Sequence, residues 1–382
     1  MRPIDSKLPR VGTTIFTLMS QLAEQHRAVN LSQGFPTFEP PSELVALVER
    51  AMRGPYQQYA PMPGSMALRT AIAEKLSALY AVHADPVAEI TVTSGATEAI
   101  FDAIQAVVRR DDEVIVLDPC YDSYEPSIAL AGGRAVHVPL THPEFGVDWE
   151  RLRSALNART RLVIINSPHN PSGALLGRAD LERLAELMRP YECYLLSDEV
   201  YEHVVFDGAR HATALAHPEL AERCFAVFSF GKTYHATGWK IGYCVAPAPL
   251  SAELRRVHQY VTFASTSPLQ QALAEFMTAR PEHHLELPAF YRERRDYFAA
   301  LLASTPFRLL PVAGTYFQLA DYSAISTLPD VEFARWLTIE HGVATIPVSV
   351  FYAEPPATRL VRFCFAKENA TLDAAAERLR RL

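Results

Sequence analysis

The stretch Ser229-Phe230-Gly231-Lys232-Thr233-Tyr234-His235-Ala236-Thr237-Gly238-Trp239-Lys240 decides how this chain is read. The apolar run Phe225-Ala226-Val227-Phe228 leads into it and reads as a buried strand. Ser229 ends that strand, Lys232 follows three residues later and Lys240 eight beyond that. Lys232 therefore sits just past a strand end, among hydroxyls and a glycine. Partial burial lowers a lysine's pKa and yields the neutral amine that Schiff-base chemistry needs. Ser229 offers a hydrogen bond and Lys240 a charge, a pair that suits a phosphate. The plainer reading is a strand-end loop with two surface lysines, and S-x-x-K alone does not choose between the two.

Composition narrows the field. A chain of 382 residues is long enough for two domains. Hydrophobic content of 49% with charged content of 21% is that of a soluble globular protein. A net charge of −7 argues against a general nucleic-acid binder, which needs a basic face. No apolar run approaches the roughly 20 residues that span a bilayer. Met1 to Arg10 lacks the apolar core of a signal peptide, so a cytoplasmic protein is expected. Cys120, Cys193, Cys224, Cys244 and Cys364 are odd in number and scattered, which fits reduced thiols and no metal site.

Short apolar runs alternate with helical patterns through the middle of the chain. Val114–Leu117, Ala135–Val138, Leu162–Ile165 and Tyr194–Leu196 read as buried strands. Ala96–Arg109 and Ala179–Met188 read as helices between them. This is a doubly wound α/β pattern with a mainly parallel sheet. Beyond about residue 275 the pattern changes. A helix over Pro288–Leu302, strands over Gly314–Leu319 and Leu360–Phe365, and helices over Val331–His341 and Leu372–Leu382 give a smaller α+β domain. The expected partition is residues 1–34 joining the small domain, 35–275 as the large α/β domain, and 276–382 as the small one.

Ligands of open α/β sheets lie beyond the carboxyl ends of the strands, and four of the expected strand ends here carry an apt group. Ser94-Gly95-Ala96-Thr97 opens a helix after strand Ile90–Thr93, so its free N–H groups and hydroxyls form an anion cradle. Tyr121, after Asp118-Pro119-Cys120, could lie on an aromatic ligand. Asn170, held in the Pro-rich loop Asn166–Gly173, could donate to a phenolic oxygen. Asp198 could hold a proton on a pyridine nitrogen, with Tyr201 as a second phenolic-oxygen donor. Each group alone has a bland explanation: an N-cap, a packing tyrosine, a turn asparagine. Together with Lys232, Ser229 and Lys240 they supply every contact that pyridoxal 5′-phosphate (PLP) needs. Arg362, on a strand of the second domain, could grip a substrate carboxylate.

The segments Asn30–Pro36, Gln58–Pro61, Ser94–Ile100, Asn166–Gly173, Asp198–Tyr201, Ser229–Tyr243 and Arg362–Lys367 resemble the fold-type-I PLP-dependent aminotransferases of classes I and II. Within them the chain is most similar to the group of methionine aminotransferases and kynurenine aminotransferases/glutamine transaminase K. The resemblance covers nearly the whole chain and implies the aspartate aminotransferase-like fold. It implies that Lys232 bonds the cofactor and carries the substrate proton, that Asp198 serves the pyridine nitrogen, and that Tyr201 and Asn170 serve the phenolic oxygen. Tyr121 would stack on the ring, and Ala96, Thr97, Ser229 and Lys240 would hold the phosphate. Gly34, Asn170 and Arg362 would bind the substrate carboxylate. A homodimer is implied, in which Tyr59 reaches the partner's cofactor phosphate. Phe16 would line the side-chain pocket together with Phe263 from the other subunit. The chain departs from the animal kynurenine enzymes at Ala264, where they carry histidine, and at Phe16, where some relatives have tryptophan. Those departures favour a flexible apolar substrate such as methionine, with aromatic amino acids tolerated.

The expected function is PLP-dependent transfer of an amino group from methionine or another neutral or aromatic amino acid to a 2-oxo acid, by a ping-pong mechanism. The alternative is a PLP-dependent β-lyase acting on cysteine conjugates or cystathionine, because the two share their early chemistry. A third reading, the sensor domain of a transcription regulator, needs a basic helix-turn-helix ahead of the family-like region.

Overall fold

The computed structural model describes residues 4–9 and 11–382; residues 1–3 and 10 of the leading stretch lie outside the described residues. Thirteen strands occur among the described residues: β1 (Val29–Asn30), β2 (Ile90–Thr93), β3 (Glu113–Asp118), β4 (Arg134–Pro139), β5 (Thr160–Asn166), β6 (Tyr194–Asp198), β7 (Cys224–Ser229), β8 (Gly242–Val245), β9 (Arg308–Leu309), β10 (Phe317–Asp321), β11 (Val343–Ala344), β12 (Ile346–Pro347) and β13 (Leu360–Cys364). Seven of them form one sheet in the order β2-β8-β7-β6-β5-β3-β4.

The central strands are apolar on both faces because helices cover both. Val114, Leu162, Leu196 and Phe225 pack toward the helix Ala96–Val107, while Ile115, Val163, Leu195 and Ala226 pack on the opposite side. Full burial of each such side chain contributes about 1.5–3 kcal/mol. The pairs β7–β6, β6–β5, β5–β3 and β3–β4 are parallel. β8 is not evident from the sequence pattern and runs antiparallel to both β7 and β2. The sheet is thus mainly parallel with one reversed strand. Because β8 reverses direction between them, β2 and β7 point the same way, and their carboxyl ends share one edge with those of β3, β5 and β6.

The later strands form a second, antiparallel sheet, β12-β13-β10-β9, over a core that includes Phe298, Phe307, Phe333 and Phe363. β1 pairs in parallel with β11, Val29 opposite Val343, which ties the N-terminal segment to this C-terminal region.

Several element boundaries differ from the sequence reading, among them those of one strand and two helices. The strand expected over Gly314–Leu319 begins only at Phe317. Thr315 has φ +64°, and the Gly314 and Thr315 N–H groups bond to the Gly173 and Val204 carbonyls instead of a neighbouring strand. The helix expected to reach Arg109 ends at Val107, where Val108 turns extended and the Arg109 N–H is captured by Asp112. The last helix spans Asn369–Leu379, starting three residues before the first apolar position, Leu372.

Candidate active site

At the shared carboxyl edge lies a pocket of about 320 Å³. Phe16, Gly34, Ala96, Thr97, Tyr121, Asn170, Asp198, Tyr201, Ser229, Lys232, Lys240 and Arg362 all line it. Sheet order explains the gathering: Ser229 ends β7, Asp198 ends β6, Asn166 ends β5 and Asp118 ends β3, side by side. Tyr59 and Phe263 are not among the lining residues. They meet each other edge-to-face at 5.4 Å on the surface, 83% and 43% exposed.

Lys232 lies in a single helical turn, Phe230–Thr233, directly after β7. Burial lowers its pKa from the ordinary 10.5 to about 8. Its Nζ donates to the Gly34 carbonyl and to the Tyr316 hydroxyl, both at 3.0 Å. Asp198 is buried, and desolvation raises its pKa to about 6 despite stabilisation by Tyr124 and Lys232. The Tyr124 hydroxyl donates to Asp198 Oδ2 at 2.6 Å, and the Val200 N–H approaches Oδ1 at 3.3 Å. Among the described residues no cation lies within ion-pair distance of this carboxylate, so it is a buried acceptor suited to a cationic N–H.

Asn170 and Arg362 orient one another. Arg362 Nη1 donates to Asn170 Oδ1 at 2.9 Å, and Nη2 donates to the Ser32 carbonyl at 3.0 Å. A guanidinium only donates, so the Asn170 oxygen must face it and the amide NH₂ is left to face elsewhere. Arg362 Nε is buried and has no partner among the described residues, which makes it an unfilled donor for an incoming carboxylate. The guanidinium carbon lies 3.9 Å above the Phe317 ring, which fixes its plane.

An anion cradle is built from backbone at the start of the helix Ala96–Val107. Gly95, at φ +82°, is the N-cap of the helix Ala96–Val107 and makes no side-chain cap bond, so the first N–H groups stay open. A Cβ at Gly95 would come within 3.3 Å of Lys240 Nζ, which places that ammonium at the cradle. Gly242 is needed beside it, because a Cβ there would lie 2.8 Å from the Ala96 nitrogen and 2.6 Å from the Phe228 carbonyl. The donor set fits PLP: an anion cradle with a lysine, a buried carboxylate lacking a cation, a free amide donor and a neutralisable lysine.

Three contributors escape a reading of the sequence. Tyr124, three residues after Tyr121, bonds Asp198. Asn166 donates from Nδ2 to the Asp198 carbonyl and accepts the Asn170 N–H, bracing both. Tyr316 touches Lys232, although in the sequence it reads only as part of a strand.

The pattern of the family described as aminotransferase class I and II matches residues 26–379. The chain belongs to the class I and II aminotransferases. Methionine aminotransferase of Escherichia coli is 56% identical over 377 residues, covering 99% of this chain and 98% of the relative. A crystal structure of an Escherichia coli protein with a methionine aminotransferase function superposes with a TM-score of 0.98 at 55% identity, over 100% of both chains. N-succinyldiaminopimelate aminotransferase of Mycobacterium tuberculosis superposes at 0.96 with 40% identity, over 99% of this chain and 100% of the other. Human kynurenine–oxoglutarate transaminase 1 is 33% identical over 395 residues, 94% of each chain. As a class I and II aminotransferase, the protein is a PLP-dependent transaminase that exchanges an amino group between amino acids and 2-oxo acids by a ping-pong mechanism.

Proposed function

We propose that this aminotransferase prefers methionine, with other neutral and aromatic amino acids as secondary donors. The observation that carries the reading is the count of positive charges in the pocket. Among the described lining residues the cations are Lys232, Lys240 and Arg362. All three are committed, Lys232 to the chemistry, Lys240 to the phosphate and Arg362 to the α-carboxylate. None is left for a second carboxylate, while Phe16, Phe35 and Ile100 offer apolar surface to a thioether or a ring. The methionine aminotransferase of Escherichia coli, at 56% identity, supports the same choice.

When bound, PLP supplies an aldehyde for the amino group and a protonated ring that draws electron density from Cα. Asp198 holds the proton on the ring nitrogen. Asn170 and Tyr201 donate to the phenolic oxygen. Tyr121 covers the ring, and Ala96, Thr97, Ser229 and Lys240 hold the phosphate. Gly34, Asn170 and Arg362 orient the substrate carboxylate, which fixes Cα relative to Lys232. Lys232 Nζ, neutral above about pH 8, takes the proton from Cα. The donor would leave as a 2-oxo acid, its amino group kept on the cofactor for the acceptor that enters next.

The working protein is read as a cytoplasmic homodimer. The exposed aromatic pair Tyr59 and Phe263, beside exposed Tyr260 and Val261, supports a protein-covered surface. From it Tyr59 would reach the partner's phosphate and Phe263 the partner's side-chain pocket. The chain divides into residues 1–34 and 276–382 as the smaller domain and 35–275 as the larger.

A panel of amino donors with several 2-oxo acids tests the reading, following the visible absorption of the bound cofactor. Methionine should exceed aspartate in kcat/KM by at least about tenfold, the scale of one missing charge-assisted hydrogen bond. Aspartate equal to methionine would overturn the preference. Lys232→Ala should lose the covalent cofactor band and nearly all turnover.

A further inference from the structure

Lys232 Nζ, the Tyr316 hydroxyl and the Gly34 carbonyl form a closed triangle. Lys232 Nζ donates to Gly34 O and Tyr316 Oη at 3.0 Å each, and Tyr316 Oη donates to Gly34 O at 2.9 Å. Gly34 O can only accept, and with the tyrosine hydrogen on it, as the 2.9 Å contact has it, the tyrosine oxygen is left to accept from the lysine. A neutral amine has two N–H bonds and one lone pair. With both N–H bonds committed to this pair of acceptors, the lone pair is the one position of the nitrogen still open.

Tyr316 cannot drift from this post. It is fully buried, and its ring is boxed by Tyr201 at 5.1 Å, Phe317 at 4.9 Å and Tyr291 at 5.5 Å. The Gly34 end is equally fixed, because a Cβ on Gly34 would sit 3.0 Å from the Phe317 ring and 3.7 Å from Arg362 Nη2. The triangle is therefore continuous with the carboxylate grip around Arg362.

We infer that Tyr316 is a positioning residue: its hydroxyl and the Gly34 carbonyl together seat the Lys232 amine, whenever it is not bonded to the cofactor, with its lone pair free to take the Cα proton. The inference rests on the proposed role of Lys232 as proton carrier and adds the residue that aims it. The triangle also explains why so buried an amine is tolerated, since its N–H groups are satisfied by two neutral acceptors.

Tyr316→Phe keeps the ring and removes the acceptor. In single-turnover mixing of PLP-loaded protein with methionine, the rate of loss of the visible band should fall by about tenfold to a hundredfold. The deuterium effect of α-deuterated methionine should grow, while cofactor occupancy and the methionine dissociation constant stay within about twofold of wild type. An unchanged rate with an unchanged isotope effect overturns the inference. Lys232→Ala in the same assay separates the two levels: turnover there overturns the lysine assignment itself, whereas its silence beside a wild-type-like Tyr316→Phe overturns only the seat. If Tyr316→Phe does not fold, 3-fluorotyrosine at position 316 keeps the shape and weakens the acceptor. It should slow the same step in the same direction, and no slowing would overturn the inference.

Discussion

Arg362 Nη1 and Asn170 Oδ1 meet at 2.9 Å, joining the second sheet to the Pro-rich loop after β5. This one contact sets two recognition groups at once. It turns the Asn170 NH₂ away from the arginine and holds the guanidinium plane across Phe317. The proposed substrate grip of Arg362 and the proposed cofactor contact of Asn170 are therefore coupled.

Asn170→Asp tests that coupling at constant shape. The new carboxylate would pair with Arg362 and compete with the substrate's own, and the NH₂ donor would be lost. Methionine KM should rise by about tenfold or more, with a fall in kcat, as expected for losing a charge-assisted contact. Steady-state kinetics with an unchanged KM would show that Arg362 does not depend on its neighbour.

The pKa of Lys232 sets a pH dependence. Burial lowers it to about 8, so the amine is mostly protonated below that pH and mostly neutral above it. Capture of PLP by the cofactor-free protein needs the neutral amine. Its rate, followed by visible absorption, should climb with pH and level off above about 8. An inflection near the ordinary lysine value of 10.5 would contradict the burial argument.

A second pH effect concerns stability. His258 Nδ1 faces Glu98 Oε1 at 2.9 Å and Asp102 Oδ2 at 3.6 Å, and Nε2 faces the Met62 carbonyl at 3.1 Å. Burial alone would depress this imidazole, but the neighbouring Asp102 and Glu98 carboxylates lift its pKa to about 9. A raised pKa means that the stabilisation is complete below the ordinary value of 6.5 and disappears as pH climbs through 9. Asp102, raised to about 6 by burial, acts with the same sign at lower pH. The Tm gap between wild type and His258→Gln should be wide near pH 6.5 and close above pH 9. A gap that is constant with pH would mean that the imidazole carries no proton-linked stabilisation.

The shared-site arrangement has its own test. Lys232→Ala and Tyr59→Ala chains should each be poorly active alone. Mixed, unfolded and refolded together, they should regain about a quarter of wild-type activity. Half of random dimers are mixed, and each mixed dimer holds one site with both residues intact. No recovery on mixing would place Tyr59 in its own chain's chemistry or in none.

Much of this architecture is legible in the sequence because the buried strands are continuous apolar runs and end in residues with few other uses. Val114–Leu117 and Leu162–Ile165 announce themselves, and Asp198 and Lys232 follow directly from the strand ends. β8 is not legible, since Gly242-Tyr243-Cys244-Val245 is only four residues long and starts with glycine. Tyr316 is hidden by register. The pattern starts its strand at Gly314, whereas the Gly314 and Thr315 backbone bonds to Gly173 and Val204 delay it to Phe317. Tyr124 is hidden by competition, because Tyr121 lays claim to the same strand end. Tyr59 and Phe263 cannot be placed by pattern at all, since their work is expected on another copy of the chain.

The pairing of Val29 with Val343, and of the Ser32 carbonyl with Arg362 across 330 positions, has a consequence for biogenesis. A ribosome delivers the N-terminal side first, so the large sheet can assemble while β1 still lacks a neighbour. On the proposed role of Arg362, a nascent chain with a finished large sheet would still lack its carboxylate grip until β13 has emerged.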